Sequence, residues 1–221
     1  ENRREMNDSS ALFQEFRLGP LTLPNRFARS ATHDFLAGED GSVSDAQVEL
    51  YRELAGGEVG LIVSGHAFVR PEGKASPRQI GVHEDAMIPG LRRIPEAVHA
   101  FPSKVVLQIA HAGRQTKEKI CGCQPVAPSA VYDPVSKVMP RELSADEIGP
   151  LIGDFIAAAV RAGEAGFDGV QLHAAHGYLL SSFLSPHTNR RADEWGGSLE
   201  NRARIIVEIL RGARAALGGG F

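Results

Sequence analysis

The sequence predicts an α/β protein built as the first four βα units of a (β/α)8 barrel, the TIM architecture. Three observations predict it. Short apolar segments alternate with helical patterns, which implies a parallel sheet with right-handed crossovers. Helix-to-strand connections span about two residues, whereas strand-to-helix loops run from about eleven residues to well beyond about thirty, and such loops are usually functional. All the long loops leave the C-terminal ends of the strands, where α/β proteins build their sites. A Rossmann sheet also fits the alternation, but no G-x-G-x-x-G follows the first strand and no G-x-x-x-x-G-K-[ST] occurs. At roughly 48 residues per unit, four units take the chain from Asn25 to its end, so strands five to eight are expected to lie outside it.

The strands are expected over residues 26–32, 59–65, 104–110 and 168–173. Val59-Gly-Leu-Ile-Val-Ser64 and Val105-Val-Leu-Gln-Ile-Ala110 are nearly continuous apolar runs, as strands covered on both faces should be. Ser44-Asp-Ala-Gln47 resembles a capping box opening a helix that ends at Gly56-Gly57. The second helix falls in 87–101. Ser144-Ala-Asp-Glu147 opens the third, with Leu151, Ile152, Phe155, Ile156 and Val160 at helical spacing. Ser198 caps the fourth, whose stripe is Ile206, Ile209, Leu210, Ala213 and Leu217, before Gly218-Gly-Gly220 stops it. Residues 1–11 read as a polar tail and 12–221 as the N-terminal part of one barrel domain.

Composition excludes several function classes. The 221 residues are 43% hydrophobic and 23% charged, ordinary for a soluble globular chain. Lys plus Arg number 24 against 27 Asp plus Glu, a net charge of −3, so there is no basic excess for nucleic acid. No apolar run reaches membrane-spanning length, and the polar start lacks a signal-peptide core. Cys121 and Cys123 make no disulfide framework, are too close for a relaxed disulfide, and read as a plain surface loop. The expectation is a cytoplasmic protein, with no nucleic-acid or membrane partner.

The densest chemical cluster is Gln171-Leu-His-Ala-Ala-His-Gly-Tyr-Leu179, at the end of the fourth strand. His173 and His176, three apart, can turn both imidazoles to one pocket, where two neutral N–H groups would hold a carbonyl oxygen and stabilise an enolate forming on it. Tyr178, a phenol of ordinary pKa about 10, suits proton delivery to a carbanion-like carbon. The bland alternative is one core histidine capped by the tyrosine. Zinc on His-x-x-His is weaker, because no third ligand announces itself. Gln108 lies in an apolar strand and needs hydrogen-bond partners, either a planar heterocycle or a neighbouring loop. Arg114 is either a loop ion pair or an anion contact. The charged segment 185–198, with the only tryptophan, reads as a structured loop whose charges pair among themselves.

Taken together these pieces resemble the old yellow enzyme family of FMN-dependent oxidoreductases, particularly its bacterial ene-reductase and NADH:flavin oxidoreductase members. The resemblance rests on Leu23-Pro-Asn-Arg-Phe27, Gly60-Leu-Ile-Val63, Leu107-Gln-Ile-Ala-His-Ala-Gly-Arg114, Pro125-Val-Ala-Pro-Ser129 and, most specifically, the run from Asp168 through Tyr178, Phe183-Leu-Ser-Pro186 and Trp195-Gly-Gly-Ser-Leu-Glu-Asn-Arg202. It implies FMN at the C-terminal face of a TIM barrel, reduced by NADH or NADPH, passing hydride to the β-carbon of an α,β-unsaturated carbonyl compound. By position, His173 and His176 would bind the carbonyl oxygen and Tyr178 would protonate the α-carbon. Ser30, Ala31, Thr32, His66 and Gln108 would lie along the flavin; no metal is implied. His66 falls where the second strand commonly supplies a small residue. His33 stands where relatives carry cysteine or threonine, and the family's arginine and later phosphate-binding loops would lie beyond Phe221. The partner implied is a small unsaturated carbonyl compound; a homo-oligomer is compatible. The competing reading is a non-catalytic half-barrel that cannot hold FMN without the missing strands, with two long apolar edges exposed.

Overall fold

The computed structural model describes residues 10–219. Most of the tail expected over 1–11 therefore lies outside the described residues. The chain enters through an antiparallel hairpin, β1 (Phe16–Leu18) and β2 (Leu21–Leu23), beside the N-terminal ends of the sheet strands. Asn25 then ties the entry to the second unit. Its Nδ2 donates to the Glu58 carbonyl at 2.7 Å, and its Oδ1 accepts from the Phe27 N–H at 3.0 Å. That is the physical content of the Leu23-Pro-Asn-Arg-Phe27 motif: one side chain satisfies backbone groups that the ladder leaves free at a strand start.

Four parallel strand positions make the main sheet. β3 (Ala28–Arg29) pairs with β4 (Leu61–Val63), β4 with the central β6 (Lys104–Ala110), and β6 on its other side with β9 (Gly169–Leu172). β5 (Ala67–Phe68) pairs with the C-terminal end of β6, so β4 and β5 run along the same edge of β6 with an interruption at 64–66. Ser64 spans the break. Its N–H donates to the Val106 carbonyl at 3.0 Å and its hydroxyl accepts from the Gln108 N–H at 2.9 Å.

Each unit carries its helix: α1 (Asp45–Gly56), α2 (Ile88–Val98), α4 (Ala145–Ala165) and α6 (Leu199–Leu217). They pack in sequence, α1 on α2, α2 on α4 and α4 on α6. Between them and the sheet lies the core, with Tyr51, Ile62, Leu91, Ile94, Leu107, Ile109, Ile148, Leu151 and Phe155 all at most 1% exposed. Two short helices, α3 (Glu118–Cys121) and α5 (Leu179–Leu184), and a parallel pair, β7 (Val126–Ala127) with β8 (Arg141–Glu142), occupy the long loops. The fold is the first four βα units of a TIM barrel.

The differences from expectation have local causes. The strand expected over 26–32 pairs only at Ala28–Arg29, because Ser30, Ala31 and Thr32 run on past the ladder. The strand expected over 59–65 is shorter and interrupted, since the Gly65 N–H turns to Tyr51 Oη at 2.9 Å instead of to a neighbouring strand. Residues 104–110 form a strand throughout, and 168–173 shrinks to Gly169–Leu172. Ser144 and Glu147 form a reciprocal capping box; Ser44 caps α1, but Gln47 turns its side chain to the Asp34 carboxylate. Cys121 is buried in α3, with its Sγ on the Lys117 and Cys123 carbonyls, so only Cys123 fits the surface-loop reading. In α6 the stripe divides. Ile205 and Ile209 are buried, while Ile206, Leu210, Ala213 and Leu217 line an apolar recess of about 610 Å³ with Leu61, Val63, Val106, Val170 and Leu172 of the sheet.

Candidate active site at the C-terminal ends of the strands

The parallel register brings the ends of all four strands together, and with them most of the residues singled out in the sequence. His66 follows the break in the second strand, Gln108 sits near the end of β6, and His173 directly follows β9. The chain then turns through His176, a non-glycine residue held at φ +58°. Such left-handed residues cost energy and cluster where a site requires a fixed direction. The His111-Ala-Gly-Arg114 turn supports this one from below, with the His111 carbonyl accepting from the Leu179 N–H at 3.0 Å.

His173, His176 and Tyr178 converge. The His173 ring lies 5.1 Å from that of His176 and 4.6 Å from that of Tyr178, centroid to centroid. His173 Nδ1 accepts from the Ala175 N–H at 3.4 Å, which places the ring proton on Nε2, and that nitrogen meets His176 Nδ1 at 3.3 Å. Each imidazole thus occupies the other, leaving His176 Nε2 as the free donor of the pair. Burial, then the neighbouring His176, holds His173 below the ordinary imidazole range, and burial raises the Tyr178 phenol. At neutral pH the histidine is therefore an uncharged donor and the tyrosine a full O–H.

Gln108 finds a partner inside the sheet. Its Nε2 donates to Gln171 Oε1 at 2.7 Å, and both side chains project from adjacent strands at paired positions. Ser30 and Thr32 continue from β3 exposed and Ala31 half-buried, Thr32 Oγ1 donating to the Ser30 carbonyl at 3.2 Å. His33 is bound through Nε2 to Ser76 Oγ at 2.5 Å, and its ring lies 4.7 Å from that of His66. Arg114 resolves as the loop ion pair: it is 3.6 Å from Asp133 and bonds the Val131 and Tyr132 carbonyls. The segment 185–198 pairs its charges only in part within itself: Arg191 holds Asp193 but also reaches Glu142 at 3.4 Å outside it, while the Asn189 amide bonds the Phe183 and Trp195 carbonyls. Among the described residues no group of three or more His, Cys, Asp or Glu side chains is placed to hold a metal ion. Nor is any described helix long and apolar enough to cross a membrane.

Sequence reasoning missed Ser76 and Gln79, the second positions behind His33 and His66. Neither stands in a pattern, because both come from an irregular loop whose shape follows from packing. Gln171 carried a signal: on a strand, residues two apart share a face, so it had to project with His173.

Two buried imidazoles set an acid dependence. Burial, with His33 and then the other site histidines, pushes His66 down to about 3, and burial, then Arg70, does the same to His111. Their unfolded forms take up protons near pH 6.5. Between these values the unfolded chain binds more protons, so the contribution of both residues is intact above about pH 6.5 and is lost as pH falls toward 3. Each adds a slope of at most about 1.4 kcal/mol per pH unit. Urea unfolding between pH 4 and 7 measures the slope. His66→Gln is expected to flatten it by up to one proton's worth, and an unaltered slope would contradict the assignment.

Comparison with known proteins gives the family. The family model described as NADH:flavin oxidoreductase / NADH oxidase matches residues 11–221. The chain belongs to that family. Among curated members, it is 46% identical over 209 residues to the NADH oxidase of Thermoanaerobacter brockii, covering 94% of this chain and 32% of that protein. It is 38% identical over 216 residues to the probable NADH-dependent flavin oxidoreductase YqiG of Bacillus subtilis, covering 95% and 58%. Thus the chain spans about a third to three-fifths of the length of these relatives. Among solved structures, the old yellow enzyme homologue from Zymomonas mobilis superposes with a TM-score of 0.90 at 35% identity, over 95% of this chain and 61% of that one. A 2-naphthoyl-CoA reductase in complex with 2-naphthoyl-CoA gives 0.92 at 34%, over 96% and 34%. Membership of the family agrees with the expected fold: the members' barrels continue beyond the four units seen in this chain.

Proposed function

We propose that this chain carries the oxygen-binding and proton-delivering part of an FMN-dependent ene-reductase site acting on α,β-unsaturated carbonyl compounds. The observation that carries the reading is the convergence of His173, His176 and Tyr178, with ring centroids 4.6–5.1 Å apart, beside the Gln108–Gln171 amide pair.

The residues present fit a flat heteroaromatic ring. The amide pair offers donors and acceptors within an apolar sheet. Gly65 lets the backbone after the second strand close onto the end of the first, since a Cβ there would come 2.9 Å from the Thr32 carbonyl oxygen. Ser30, Ala31, Thr32, His66 and Gln108 would hold FMN, which when bound supplies the hydride it has taken from NADH or NADPH. His176 Nε2–H receives the substrate's carbonyl oxygen, and His173 Nε2–H joins it once their mutual contact opens. Two N–H donors on one oxygen stabilise the negative charge that develops there. Tyr178 holds its proton at Oη, kept there by burial, and gives it to the α-carbon.

The test is a titration of the purified chain with FMN, followed by anaerobic addition of NADH and then cyclohex-2-enone. Bleaching of the flavin band by NADH and its return with enone, with cyclohexanone formed, is the expected result. A chain that takes up FMN and is bleached, yet forms no cyclohexanone, would overturn the ene-reductase reading. A chain that takes up no FMN would instead favour the half-barrel reading.

A further inference from the structure

We propose that His66 is a third hydrogen-bond donor of the substrate pocket, presenting its Nε2–H to a second oxygen of the substrate, and that Gln79 is the positioning residue that fixes it in this tautomer. The proposal rests on the ene-reductase reading above and deepens it by naming a substrate feature, a second carbonyl oxygen.

Gln79 is fully buried and its amide orientation is fixed by its neighbours. Its Oε1 accepts from the Ala75 N–H at 2.6 Å, so the other terminus is the NH2 group. That NH2 donates to the His66 carbonyl at 3.1 Å and meets His66 Nδ1 at 2.7 Å. A donor facing Nδ1 makes that nitrogen the acceptor, and a neutral imidazole then carries its proton on Nε2. The ring is 9% exposed and stays neutral, because desolvation disfavours the imidazolium. Its Nε2 has no hydrogen-bond partner among the described residues, whereas its Nδ1 and both termini of the Gln79 amide are used.

The position of the ring gives that free donor its role. The His66 centroid lies 5.9 Å from His173 and 5.5 Å from Tyr178, both edge-on, while His176 adjoins His173 at 5.1 Å. A substrate whose first oxygen sits on His173 and His176 therefore has a further donor, beside His173 and Tyr178, for a second. An N–H that a bound substrate seals from water without giving it an acceptor costs free energy, whereas one that meets an oxygen gains a hydrogen bond, so the residue discriminates between one-oxygen and two-oxygen substrates.

Two substrates that differ by one oxygen on the same ring test this in the FMN-loaded protein: cyclohex-2-ene-1,4-dione and cyclohex-2-enone. The ratio of their kcat/KM values is expected to fall about tenfold in His66→Phe, the loss of one hydrogen bond of about 1.4 kcal/mol. His66→Gln, which keeps an N–H donor, is expected to restore most of the ratio. A ratio unchanged in His66→Phe overturns the proposal while leaving the ene-reductase reading intact. If neither ring is reduced by the unsubstituted protein, the ene-reductase reading itself fails and takes this one with it. The tautomer is read independently, without flavin or turnover, from imidazole 15N–1H correlation spectra. Nδ1 of His66 is expected to be bare and Nε2 protonated, with mixed tautomers in Gln79→Leu. A proton on Nδ1 in the unsubstituted protein overturns the proposal.

Discussion

Replacing Tyr178 by phenylalanine is expected to lower the rate of enone reduction by 10²–10⁴-fold while leaving flavin reduction by the nicotinamide unaltered, the range set by loss of a positioned general acid. The substitution removes a single oxygen. The ring packs at 4.6 Å from His173 and 5.5 Å from His66, and the phenol makes no hydrogen bond to another described residue, so its loss disturbs no framework contact. Stopped-flow measurement of the two half-reactions separates the outcomes. Equal slowing of both would mean that Tyr178 shapes the flavin environment rather than moving a proton. Because burial raises the phenol above its ordinary value, the oxidative half-reaction should also stay flat with pH through neutrality and fall only on the alkaline side of about pH 10.

The second large effect concerns stability. Arg191→Ala is expected to cost about 2 kcal/mol, because it leaves carbonyl oxygens without their donor while the Asp193 carboxylate is already a third exposed, and to lower the melting temperature by about 4–8 °C. The guanidinium is 5% exposed. It bonds both Asp193 oxygens, the Pro128 carbonyl at 3.1 Å and the Leu143 carbonyl at 2.5 Å. One side chain thereby joins the loop after α5 to both ends of the segment holding β7 and β8. Gly196 abuts the same place, since a Cβ there would come 2.3 Å from the Arg191 carbonyl oxygen. Arg191→Lys is not expected to rescue, because a single ammonium cannot span three acceptors in fixed directions. Thermal unfolding followed by circular dichroism decides it; a loss below about 1 kcal/mol, the value of an exposed pair, would show the network to be ornamental.

These cases show why some of the site was legible in the sequence and some was not. β6 was readable end to end because a strand covered on both faces is nearly continuously apolar, and between Lys104 and Ala110 only Gln108 departs from that. The second strand was not, since its break depends on Ser64 and Tyr51, residues of different elements that meet only on folding. His173, His176 and Tyr178 stood out through spacing and place. Whether their donors are free did not, because the His173–His176 contact depends on a left-handed backbone at His176 that no residue type announces. Gln79 is the extreme case: an amide in an irregular loop gains meaning only from the ring it faces.

The His173–His176 contact also has a consequence for how any ligand enters. An oxygen arriving at this pair meets the free His176 Nε2–H directly, but gains the His173 N–H only by displacing His176 Nδ1 from it. The second hydrogen bond is therefore an exchange of acceptors, and what it adds follows the difference between the incoming oxygen and His176 Nδ1 rather than the strength of the oxygen itself. Weakly basic ketone oxygens gain little by the swap. Phenolates and enolates, stronger acceptors, gain much more. The resting pair is thus graded toward the charge-bearing species that the proposed ene-reduction would form, before any substrate is present.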